Sequence, residues 1–361
     1  MRDTACTGKK RKLLFVISTL YLGGAQKVAS ILANALAERY DVTVAYCFDS
    51  GKSHVFRESC GIRKLPDYDR DAGLLKKAGC VRKQIGALKA LKKELGIDAA
   101  ISLGNVPNLL NAMSKGKERV ICSERSDPRR SWGRMRFLTR LSYRRADYVV
   151  FQSEAVRALF GERMRGKSCV LKNPVRLPAP ARDRREKEIV AMGRLTAQKN
   201  YDLLIRGFAR FHEQFPEYRL RIFGEGELEG RIKQLIGTLR MNGSVILEGH
   251  DPDVHERIRD AEMFVLSSDW EGLSNALLEC MAMGIASIST RCGGSVDVIR
   301  DGENGLLVDI GDEEGLARAM CTLARDPELR RKLERQAKED LKAYDMDVVV
   351  RDWERVIRQM L

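Results

Sequence analysis

Short apolar runs that stop at a glycine, with helix-period segments between them, restrict this chain more than any other feature. Residues 13–18 run apolar ahead of Gly23-Gly24, and Val28, Ile31, Leu32, Leu36 and Ala37 then repeat at helical spacing. That order reads as strand, glycine turn and a helix over residues 25–38. Further strand-like runs lie at 42–46, 99–103, 119–122 and 148–152. The alternation stops near 173–185, where Pro174, Pro178 and Pro180 fall among charged residues. It then restarts with runs at 188–192, 220–223, 244–247, 263–267, 286–290 and 306–308, and a helical pattern near 201–215. Strands alternating with helices make parallel sheets covered on both faces. A chain of 361 residues also exceeds what one ordinary core serves. The expected fold is α/β, with two doubly wound parallel-sheet domains at 1–172 and 188–340. Residues 173–187 are the expected linker, and 341–361 a terminal helix returning to the first domain.

Charge divides along the same boundary. Residues 1–180 carry 36 Lys and Arg against 16 Asp and Glu, a net +20, whereas residues 181–361 carry 28 against 34, a net −6. A strongly basic first half suits a polyanion or an anionic membrane surface, the alternative being a solvated face without a partner. The stretch 129–145 sharpens this. It holds Arg129, Arg130, Arg134, Arg136, Arg140, Arg144 and Arg145 with no acid, interleaved with Trp132, Phe137 and Tyr143. Such a helix can lie on an anionic membrane, or it can turn its apolar residues to a core and leave the arginines in water. Nucleic acid is disfavoured as a partner, because no recognised binding module is present. No window approaches eighteen apolar residues, and residues 1–10 lack an apolar signal core, so a cytoplasmic location is expected. Peripheral contact with the inner face of the cytoplasmic membrane extends that expectation. Nine scattered cysteines, an odd number, read as reduced thiols. The four histidines, His54, His212, His250 and His255, do not cluster with them as zinc ligands would.

In open parallel sheets ligands bind beyond the carboxyl ends of the strands, and the glycines Gly23-Gly24, Gly193, Gly224, Gly226 and Gly293-Gly294 all follow strand-like runs. Gly23-Gly24 allows backbone amides close to an anion at the start of a helix, or it only reverses the chain. Its spacing does not fit the three-glycine dinucleotide fingerprint. Arg194 and Lys199 share one loop after a strand and can neutralise a diphosphate; a solvated loop is the competing reading. Glu271 and Glu279 stand on a loop and on the following helix-like run 275–283, with Ser274 and Asn275 as plausible N-caps. From there Glu279 can accept from the vicinal hydroxyls of a ribose, or simply complement the helix dipole. Glu271 can accept from sugar hydroxyls or stabilise positive charge at an anomeric carbon. Three Asp-x-Asp triplets, Asp67/Asp69, Asp251/Asp253 and Asp345/Asp347, are the sort of pair that holds a divalent cation, but fifty acids produce them by chance. No metal is expected.

Together these residues resemble the retaining glycosyltransferases of family four, with the GT-B architecture of two Rossmann-like domains facing across a cleft. The resemblance spans nearly the whole chain. It rests on Gly23-Gly24-Ala25-Gln26-Lys27, Ser123-Glu124-Arg125-Ser126-Asp127-Pro128, Asn173-Pro174-Val175, the 193–200 loop, Gly224-Glu225-Gly226, the 271–279 segment and Asp301-Gly302-Glu303-Asn304-Gly305-Leu306-Leu307-Val308. It implies that Arg194 and Lys199 grip the donor diphosphate, that Glu279 binds ribose and that Glu271 contacts the transferred sugar. It further implies donor contacts from Gly23, Gly24, Gly193, Leu273, Ser274 and Asn275, with Gly249 and His250 bordering the base. Gln26 stands where this branch often has Glu. Glu124-Arg125 occupies the region where many relatives place a histidine, which makes Glu124 and Arg125 the candidates on the acceptor side.

The implied reaction moves a hexose or N-acetylhexosamine from a nucleotide-diphosphate sugar, UDP preferred over GDP, to a glycan or polyprenyl-linked glycan. No cofactor is implied beyond that donor substrate. Two competing readings are a nucleotide-sugar epimerase of the same architecture and a non-enzymatic polyanion-binding protein.

Overall fold

The computed structural model describes residues 10–20, 23–48, 56–67, 73–125, 136–176, 179–182 and 185–361. The chain forms two compact units, Met1–Pro174 with Asp347–Leu361, and Val175–Met346.

The first unit holds seven strands: β1 (Lys12–Ile17), β2 (Asp41–Tyr46), β3 (Gly61–Lys64), β4 (Ala99–Leu103), β5 (Arg119–Ser123), β6 (Tyr148–Phe151) and β7 (Ser168–Val170). Their order is β3-β2-β1-β4-β5-β6-β7, and all pairings are parallel. The second unit holds β8 (Glu186–Met192), β9 (Arg219–Phe223), β10 (Val245–Gly249), β11 (Ala261–Leu266), β12 (Ala286–Thr290) and β13 (Leu306–Val308). These run β10-β9-β8-β11-β12-β13, again all parallel. The fold class is therefore the expected α/β with two doubly wound sheets. Strand order reverses beside β1 in one sheet and beside β8 in the other, and crevices for ligands form at such reversals.

Burial on both faces explains why the strands read as continuous apolar runs. Along β8, Ile189 and Ala191 enter one core while Val190 and Met192 enter the core on the opposite face; along β11, Met263 and Val265 oppose Phe264 and Leu266 in the same way. Side chains alternate across a strand, so a sheet covered on both faces favours apolar residues at successive positions. The sequence pattern missed β3 and β7. Both are short edge strands, and β3 carries exposed Arg63 and Lys64, the kind of charge that protects an edge from pairing with another chain.

The helix Met346–Met360 belongs to the first unit from Asp347 onward. Its Trp353 is fully buried, and its Glu354 accepts from the Tyr40 hydroxyl at 3.2 Å and pairs with Arg39 at 2.7 Å.

Candidate functional site

The reversal point of the second sheet carries two loops that bind each other. One, residues 193–200, follows β8; the other, from Ser267, follows β11. Asp269 N donates to Gln198 O at 2.9 Å, Ser267 Oγ to Lys199 O at 2.8 Å, and Asn200 Nδ2 to Asp269 Oδ1 at 2.7 Å. Asn200 also caps the helix Tyr201–His212, accepting from Leu203 N at 3.2 Å.

That framework delivers Glu271, only 8% exposed, into a ring of donors. Its Oε1 accepts from Lys199 Nζ at 2.5 Å and from Ser268 Oγ at 3.0 Å, and its Oε2 accepts from Gln198 Nε2 at 3.2 Å. The structure thus joins two of the residues singled out in the sequence as an ion pair. Arg194, on the same loop, is exposed, and no carboxylate among the described residues pairs with it. Close approach of backbones requires glycine at two points. Gly224 has φ 145° and lies against Gly193, and a Cβ on Gly294 would fall on the carbonyl oxygen of Gly272.

After Glu271 the chain passes Leu273, half-buried, and enters the helix Asn275–Met283. Ser274 is its N-cap, accepting from Leu277 N, and Gly284 closes it at φ 77°. Leu277, Leu278, Cys280 and Met281 anchor the helix in the core. Glu279, 9% exposed, meets the His255 imidazole, Nε2 to Oε2 at 2.8 Å. His255 is a residue that sequence reasoning passed over, because the pair is 24 positions apart on separate elements and leaves no periodic signal.

Gly249 ends β10 with φ 73°, its carbonyl taking the Gly224 amide at 2.7 Å, and the exposed His250 follows it. In the first unit, Gly23 caps the helix Gly24–Leu36 by backbone only, just past β1 at the reversal of that sheet. Asp251, half of one Asp-x-Asp triplet, accepts from Asp253 N at 2.8 Å, a turn contact. Among the described residues no three His, Cys, Asp or Glu converge as metal ligands would. Asp69 lies outside the described residues.

Residues 177–340 match the family described as glycosyl transferases group 1. The chain is a glycosyltransferase. Over 366 aligned residues it is 28% identical to the N-acetylgalactosamine-N,N'-diacetylbacillosaminyl-diphospho-undecaprenol 4-alpha-N-acetylgalactosaminyltransferase of Campylobacter jejuni, covering 95% of this chain and 98% of that one. Solved structures share the architecture at low identity. Anabaena Alr3699/HepE, in complex with UDP and glucose, superposes with TM-score 0.80 at 16% identity, over 96% of this chain and 99% of its own. The sucrose-phosphate synthase of Thermosynechococcus elongatus gives 0.83 at 17% identity, over 97% and 99%. The fold is GT-B.

The first unit of the glycosyltransferase places Glu124 and Arg125 at the end of β5. Glu124, 1% exposed, accepts from the Tyr143 hydroxyl at 2.6 Å and from Arg125 N at 2.9 Å. The Arg125 guanidinium donates to Asn173 Oδ1 at 2.6 Å and lies 5.6 Å from the Trp353 ring centroid, while its Nε and Nη2 are buried without hydrogen-bond partners among the described residues. Burial drives its pKa down to about 9, against the pull of Glu124. Of the basic stretch, Arg129, Arg130 and Arg134 lie outside the described residues, as does the side chain of Arg136. Arg140 is exposed, and Phe137 is 71% exposed. Tyr143, Ser142 and Thr139 are buried, so this face of the helix Arg136–Arg145 serves the core. No helix among the described residues is long and apolar enough to cross a membrane.

Proposed function

We propose that this chain is a metal-independent, retaining glycosyltransferase of family four that transfers a hexose or N-acetylhexosamine from a UDP-sugar to a glycan carried on a polyprenyl diphosphate, in cell-surface polysaccharide synthesis. The observation that carries the reading is the meeting of the Arg194–Lys199 loop, Glu271 and the Asn275–Met283 helix beside β8 and β11. The Campylobacter relative acts, by its name, on a diphospho-undecaprenol glycan, and the Anabaena neighbour holds UDP, which favours this acceptor and this donor.

In this reading Arg194 and Lys199 balance the charge that grows on the leaving diphosphate, together with amides in the first turn of the helix behind Ser274. Gly193, Leu273 and Asn275 border the same donor, and Gly249 and His250 its base. Glu279 takes the ribose hydroxyls, and Glu271 the transferred sugar. Lys199 enters already paired with Glu271, so a donor phosphate must share an ammonium that is held in place. The acceptor hydroxyl attacks on the face the diphosphate leaves, its proton passing to a donor phosphate oxygen. Arg125 and Glu124 belong to the acceptor side. Contact with an anionic membrane runs through Arg140 and the neighbouring basic stretch, and places the enzyme on the cytoplasmic face.

The decisive assay follows UDP release from UDP-hexoses and UDP-N-acetylhexosamines, with and without a polyprenyl-diphosphate glycan and with EDTA present. Release that needs the acceptor and survives EDTA, with an α-linked product by NMR, is the expected result. A new sugar made from donor alone would identify an epimerase. Salt-sensitive binding to nucleic acid with no UDP release would identify a polyanion-binding protein.

A further inference from the structure

We propose that His255 is a positioning residue of the donor site, holding the Glu279 carboxylate in the one orientation that meets both hydroxyls of a ribose. The inference rests on the ribose role of Glu279 and adds the group that orients it. The two side chains differ in setting: Glu279 is 11% exposed at its side chain, and His255 is 31% exposed. The imidazole therefore closes the outer side of a carboxylate whose stem is fixed by core residues.

Neither partner sits on a loose support. His255 lies in the single helical turn Val254–Arg257. Asp251 takes the Asp253 amide at 2.8 Å just before that turn, Arg221 Nη1 donates to the Arg257 carbonyl at 3.2 Å, and the fully buried Ile258 anchors its end. Arg221 is itself held by Glu248 at 2.7 Å and Glu188 at 2.9 Å, on the strands either side of β9. The turn that carries His255 is thus tied to the sheet, and it continues from the Gly249–His250 segment.

An ionised carboxylate only accepts, so the proton of this contact is on Nε2. About four acceptor positions exist on a carboxylate, and the imidazole occupies one on Oε2. That contact fixes the plane in which the carboxylate oxygens are presented to two vicinal hydroxyls. A free glutamate has three rotatable bonds to order when a ribose arrives; one already hydrogen-bonded in place has that ordering done beforehand, and the gain falls on ligands with both hydroxyls.

Calorimetric titration of UDP and 2′-deoxy-UDP, with GDP and 2′-deoxy-GDP as the second pair, tests this on the full chain. Wild-type protein should prefer the ribonucleotide by about tenfold or more, the worth of a hydrogen bond to a charged group. His255→Ala should cut that preference by roughly three- to tenfold while leaving the deoxynucleotide affinity within about twofold. His255→Gln, whose amide nitrogen reaches where Nε2 stood, should restore most of the preference, which a merely structural loss would not do. An unchanged ribo-to-deoxy ratio in His255→Ala, or equal weakening of both ligands, overturns the proposal. Glu279→Gln separates the two levels. If it abolishes the preference and His255→Ala does not, only the positioning role fails. If Glu279→Gln keeps the preference, or neither nucleotide binds the wild type, the donor-site reading fails with it.

Discussion

Each unit of this enzyme sets a cation next to a glutamate at the end of a central strand, and the two pairs are built in opposite ways. In the second unit Lys199 bonds directly to Glu271 at 2.5 Å, and Ser268 and Gln198 satisfy the rest of the carboxylate. In the first unit Glu124 turns inward to Tyr143, and Arg125 is left with Asn173 and the face of Trp353. One charge is compensated and ready to be shared. The other is buried with two donors unmet among the described residues, and its pKa falls to about 9. Neighbours in sequence or in space do not become partners unless the surrounding hydrogen bonds leave them free to pair.

The largest test of this contrast is Trp353→Ala. Removing a fully buried indole from the first unit should cost about 3–5 kcal/mol, read as faster amide exchange in β1, β4 and β5. Exchange in the second sheet should not change; if it accelerates equally, the two units are not separate in stability. Next come Lys199→Ala and Arg194→Ala, each expected to lower kcat by about 10²–10³ with little change in melting temperature. A Lys199→Ala protein that melts early but turns over normally would show that the Glu271 pair is only structural.

Arg125→Met sharpens the comparison from the other side. Replacing a buried, poorly paired cation by an apolar chain of similar length should stabilise the first unit by about 1–3 kcal/mol in denaturant titration. If Arg125 also serves the acceptor, turnover falls as stability rises, whereas a loss of both would make the guanidinium a structural strut. The smallest effect concerns the surface. Vesicle co-sedimentation should depend on anionic lipid, and Arg140→Glu should weaken it by about 1–2 kcal/mol for the reversed charge. Equal sedimentation with neutral vesicles would remove the electrostatic argument.

Much of the fold was legible because its signals are local. Continuous apolar runs at 188–192 and 263–267 reflect strands buried on both faces, and the Ser274 cap and Gly284 stop bound the helix Asn275–Met283 where the pattern put it. Edge strands β3 and β7 escaped because β3 is largely exposed and both are only three or four residues long. The basic stretch was ambiguous for a related reason: a helix with arginines and aromatics looks the same whether Tyr143 faces lipid or bonds Glu124, and the core contact at 2.6 Å is what distinguishes them.

By itself, the sequence determined two doubly wound sheets, the glycine-marked ends of their strands and the polar residues that stand at those ends. It did so because alternation, capping and turn chemistry act over a few residues. Only the tertiary structure decided which polar groups meet: Lys199 with Glu271, His255 with Glu279, and the Arg125 guanidinium with no carboxylate among the described residues. Those outcomes depend on loops from different strands arriving at one place, and hydrogen bonds lose their strength within a fraction of an ångström, a precision that spacing along a chain does not encode.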